Sequence, residues 1–76
     1  MVRGSTYQFN VDTGVQHDFY LTTHESGGGG GTVTQGVFGQ FTYRGQVTFT
    51  PGPGTPAALW YQCRNHRYMG GLIRVV

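Results

Sequence analysis

Near the end of the chain, Cys63, His66 and Met69 follow a C-x2-H-x2-M spacing. A thiolate, an imidazole and a thioether this close together fit one loop wrapped around one small ion. They are soft donors, which suit copper, particularly Cu(I), better than magnesium or calcium. A second imidazole would complete a plane of two His and one Cys with a weak axial Met, the donor set of blue-copper electron-transfer sites. His17 is the best candidate for it. By strand parity it shares a face with Phe19 and Leu21, just as Cys63 shares one with Leu59 and Tyr61. Zinc is the competing ion, because Cys63, His66, His17 and His24 together could form a tetrahedral site. That set leaves Met69 idle and recruits a histidine beside a glycine run, so zinc ranks below copper.

The elements that must hold these residues are strands. No stretch of a dozen residues carries apolar positions at helical spacing, and Gly, Thr and Pro interrupt every candidate helix. Period-two alternation is clear instead. In residues 5–11, Tyr7, Phe9 and Val11 share one face and Thr6, Gln8 and Asn10 the other. Residues 17–23 repeat the pattern after a turn at 12–14. Residues 46–50 read as a further strand, and Leu59, Tyr61 and Cys63 alternate with Trp60 and Gln62. Ile73 and Val75 share a face in a last strand at 72–76. The glycine run 27–31 predicts a mobile surface connector. It is no phosphate cradle, since Thr32 and Val33 follow it where Lys and then Ser or Thr would be needed. Phe38, Phe41 and Tyr43 are expected to pack beneath this loop, and Tyr61 to pack in the core. Short strands joined by Gly and Pro turns indicate an all-β sandwich or barrel.

Bulk properties narrow the function classes. With 76 residues the chain makes a single domain, residues 1–76, on its own or as a piece of a larger protein or assembly. Hydrophobic residues make up 37% and charged residues 11%, enough apolar material to exclude wholesale disorder. The net charge is +2, but its five basic residues, all Arg, are scattered from Arg3 to Arg74, which argues against nucleic acid as a partner. No apolar run approaches the about 20 residues that span a bilayer, and residues 1–15 lack the apolar stretch of a signal peptide. The single cysteine leaves no internal disulfide to form. Neither a carboxylate pair nor a Ser/His/Asp set points to hydrolysis. Three histidines are too few for the additional centres of copper enzymes. The chain therefore reads as an electron carrier or a structural module, not a catalyst.

The segment Tyr61-Gln-Cys-Arg-Asn-His-Arg-Tyr-Met-Gly-Gly-Leu-Ile-Arg-Val resembles the ligand loop and final strand of cupredoxins, with the short His-to-Met gap of amicyanin. Upstream, Arg3-Gly-Ser-Thr-Tyr-Gln-Phe-Asn-Val resembles the strand before the first histidine ligand, and His17-Asp-Phe-Tyr the ligand and its successors. The likeness covers most of the chain, loosely between His24 and Thr50. It implies a cupredoxin-like Greek-key β-sandwich holding one type 1 copper ion through His17, Cys63, His66 and Met69. It also implies electron exchange at the exposed edge of His66 and an extracytoplasmic setting. Tyr68, with Met69 and Leu72, would offer an apolar docking patch, and Arg64 and Arg67 would favour a locally acidic redox partner.

Three departures from the family pattern stand out. The usual first strand is absent, which leaves an edge open to a neighbouring chain that could complete the sheet. Gln16 occupies a position that is often Asn. The loop lacks proline, so Arg64, Asn65 and Arg67 keep N–H groups, one of which could reach the Cys63 sulfur. A metal-free cupredoxin-like module within a larger assembly is the alternative function.

Overall fold

Period-two alternation becomes six strands in the computed structural model, which describes residues 1–14, 17–66 and 68–76. They are β1 (Tyr7–Asp12), β2 (Phe19–Thr22), β3 (Val37–Phe38), β4 (Arg44–Phe49), β5 (Ala58–Cys63) and β6 (Gly71–Arg74). Two three-stranded antiparallel sheets result, in the orders β1-β4-β3 and β2-β5-β6. The described residues include no helix. The all-β expectation holds, and the architecture is that of two sheets laid together as a sandwich.

The inner faces meet in a core of Leu21, Phe49, Leu59, Ile73 and Val75, with Phe9, Phe19, Val33 and Val37 packed against it. β1 half-buries Tyr7 and Phe9, buries Val11 and exposes Gln8, Asn10 and Asp12, as its sequence alternation predicts. β2 is buried on both faces. Tyr20, on the face away from Leu21, is fully enclosed because its ring stacks on Phe41 at 5.1 Å and its hydroxyl reaches the glycine run.

That run departs from the expected bare connector. The Tyr20 hydroxyl accepts from the Gly29 N–H and donates to the Gly30 carbonyl, both at 2.9 Å. Gly27, Gly28, Gly29 and Gly31 all have positive φ, between 64° and 92°. Four such residues among five fold the segment back over β5, a path that side chains would resist. His24 is exposed, as expected, with its ring lying against Gly30 and Gly31.

Phe38 and Tyr43 differ from expectation, being 72% and 42% exposed. β3 is only two residues long, so it covers too little of the sheet to shelter them. Of the three aromatic residues expected beneath the glycine run, Phe41 comes nearest to that role, stacked on the Tyr20 ring whose hydroxyl the run holds. Two strand edges are covered by the chain itself. Residues 33 and 40–42 hydrogen-bond along β2, and Met1 and Arg3 bond with residues 74 and 76 beyond β6. Among the described residues β1 pairs with β4 alone.

Candidate metal centre

Strand register explains how residues 46 positions apart come together. In the β2–β5 ladder Phe19 stands opposite Cys63. Opposed residues of an antiparallel pair point to the same side, so continuing β2 backwards by two residues puts His17 on the Cys63 face, just past the end of β5. Gly14, with φ of 93°, accepts the His17 N–H on its carbonyl at 3.0 Å. The Thr13 hydroxyl donates to the His17 carbonyl. One residue on, the Asp18 carbonyl accepts from the Arg64 N–H at 2.8 Å, joining the two ligand-bearing segments.

His17 Nδ1 lies 3.8 Å from Cys63 Sγ and His66 Nδ1 3.6 Å from it. The imidazole centroids are 4.8 Å apart. Bonds of about 2.3 Å to sulfur and about 2.0 Å to nitrogen, at the angles of a three- or four-coordinate ion, separate such donors by about 3.5 to 3.8 Å. The spacing therefore matches that of ligands sharing one ion. His17, Cys63 and His66 form a group able to bind a metal ion, their donor atoms all within 4.8 Å of one another. Cys63 is buried, His17 half-buried and His66 exposed. His24 is not part of the cluster, so the four-ligand zinc arrangement is not assembled.

Met69 lines the same cleft as His17 and Cys63, a space of about 740 Å³ beside β1, but is itself 54% exposed. Phe9, Phe19 and Tyr61 form the aromatic wall of that cleft. The core position expected for Tyr61 is not what the fold provides, since Tyr61 is 41% exposed. Its ring stacks on Phe19 at 6.0 Å and lies across Gly71, its side-chain-free partner in the β5–β6 ladder.

No family model, curated protein or solved structure matches this chain. The chemistry of the site rests on its own residues. Tyr68 is 71% exposed and Leu72 47%, so both present apolar surface near the ligand loop. Arg64 is partly committed elsewhere, its guanidinium 5.2 Å above the Phe41 ring and 4.0 Å from the Asp18 carboxylate. Its N–H serves the Asp18 carbonyl, not the Cys63 sulfur. Arg67 and Gln16, also singled out by sequence, lie outside the described residues.

Sequence reasoning missed Gln62. Its polar side chain reads as solvent-facing, yet it is 4% exposed beneath the folded glycine segment. The Gln62 carboxamide nitrogen donates to the Glu25 carbonyl, and its oxygen accepts from the Met69 and Gly70 N–H groups at 3.1 and 2.9 Å. The only sequence signal for it is indirect: a glycine run long enough to let the backbone approach β5 closely.

Proposed function

We propose that the chain is a type 1 copper-binding electron-transfer domain of the cupredoxin kind, its two sheets connected as a Greek key. The observation that carries this reading is the spacing of two imidazole nitrogens 3.6 and 3.8 Å from one cysteine sulfur, with a methionine lining the same cleft. Copper held there by His17, Cys63, His66 and Met69 would supply one-electron chemistry between Cu(II) and Cu(I), and a donor set of two imidazoles, a thiolate and a thioether suits it better than zinc. His17 and Cys63, fixed by the β2–β5 register, keep their donors in place whichever oxidation state is bound, which limits rearrangement on electron transfer. Met69 tunes the preference between the two states from the cleft side.

His66, the exposed member of the group, is the electron port. Tyr68, Met69 and Leu72 form the apolar surface on which a redox partner docks, and Arg64 with Arg67 favours an acidic one. In this role the chain is a carrier and not a catalyst. Voltammetry of the copper-loaded protein should give a reversible one-electron wave, displaced to a new potential in Met69→Leu. Copper-loaded protein with no reversible wave would refute the carrier role.

The edge of β1 that has no strand partner among the described residues favours a second reading, a metal-free module whose sheet is completed by a neighbouring chain. Folded protein that takes up no copper would support it.

A further inference from the structure

A buried carboxamide that hydrogen-bonds to two loops at once has a mechanical consequence. Gln62 precedes Cys63 in β5 but points to the opposite face, away from the donor cluster. From there its oxygen holds two successive backbone N–H groups, those of Met69 and Gly70, while its nitrogen is tied to the Glu25 carbonyl. The segment it is tied to is itself fastened to the ligand loop twice more. The Gly28 N–H donates to the Cys63 carbonyl at 3.2 Å, and the Tyr68 N–H donates to the Ser26 carbonyl at 2.9 Å. Gly27 makes the approach possible, since a Cβ there would come within 2.7 Å of the Gln62 Cβ. Residues 68–70 are thus held by groups that are not themselves among the donors.

We infer that Gln62 is the positioning residue for Met69: by gripping the Met69 and Gly70 amides it sets how closely the thioether can approach an ion held by His17, Cys63 and His66. This inference rests on the copper reading above. Met69 is half exposed, and no core packing is seen to fix it, so its place depends on the backbone beneath it. Gln62→Met fills a similar volume and removes both the acceptor and the donor.

Two measurements test the inference. In the metal-free protein, amide exchange at Met69 and Gly70 should accelerate about tenfold in Gln62→Met, as expected for the loss of one buried hydrogen bond each, while the β1–β4 amides stay protected. In titrations with Cu(I) and Cu(II), the ratio of the two affinities should shift on the scale of about 10- to 100-fold typical of groups that orient a ligand. Met69→Leu added to Gln62→Met should shift that ratio no further, because the thioether is already misplaced. Unchanged exchange, an unchanged ratio, or fully additive effects of the two substitutions would each overturn the positioning role. Should Gln62→Met fail to fold, Gln62→Ser, which is too short to reach either amide, carries the same test: exchange at Met69 and Gly70 should accelerate and the affinity ratio shift, and wild-type values of both would overturn the inference. A folded wild-type protein that binds neither copper ion would overturn the site along with the role, an outcome distinct from wild type and Gln62→Met binding alike.

Discussion

Cys63→Ser is expected to lower Cu(I) affinity by well over the about 100-fold that loss of an orienting group outside the ligand set costs. The sulfur is the centre of the cluster, the atom from which both imidazole nitrogens are measured at 3.6 and 3.8 Å. A hydroxyl in its place is a hard donor that stays protonated, which leaves two imidazoles and a weak thioether. Serine is close in size to cysteine, so the strand pairing of Cys63 with Phe19 should survive and the protein should remain folded. Competition against a chromophoric Cu(I) chelator measures the effect, and affinity equal to wild type would remove Cys63 from the site.

Gly70→Ala should destabilise the fold by about 3 kcal/mol, the upper range for forcing an extra group into packed surroundings. A Cβ at Gly70 would overlap the Tyr61 carbonyl and come within 3.0 Å of the Gln62 Cα. Both are backbone atoms of β5 and cannot swing aside as a side chain could. For a 76-residue domain, whose whole stability is about 4 to 11 kcal/mol, that is a large share. The ligand loop would have to lift away from β5, breaking the Gly70 N–H bond to Gln62. Urea denaturation gives the stability change, and a midpoint matching wild type would mean that the loop does not lie against β5 as described.

Five of the six strands were legible as period-two alternation, whereas the two-residue β3 is too short to show one. β1 alternates as its sequence requires, and parity alone placed His17 with Phe19 and Cys63 with Leu59 on matching sides. Side-chain periodicity is a local property, and register between β2 and β5 then turns two local faces into one cluster. What escaped depends on contacts between distant segments. Nothing local distinguishes a glycine run that folds over a strand from one that does not. The difference lies in Tyr20, whose hydroxyl engages Gly29 and Gly30, and in Gln62, which the run encloses. Tyr61 sits on the core parity but is left 41% exposed, because the sheet face around it opens into the cleft beside β1. Phe38 and Tyr43 were expected beneath the glycine run by type alone, yet the two-residue β3 gives them nothing to pack under.

The most direct test of the copper site is the visible absorption spectrum of the metal-free protein after one equivalent of Cu(II). A Cu(II) ion held by two imidazoles, a thiolate and a thioether should give an intense blue thiolate-to-copper band that saturates at one ion per chain. A folded protein that stays colourless, or one with only the weak absorption of Cu(II) bound through nitrogen and oxygen, would contradict a copper centre at His17, Cys63 and His66.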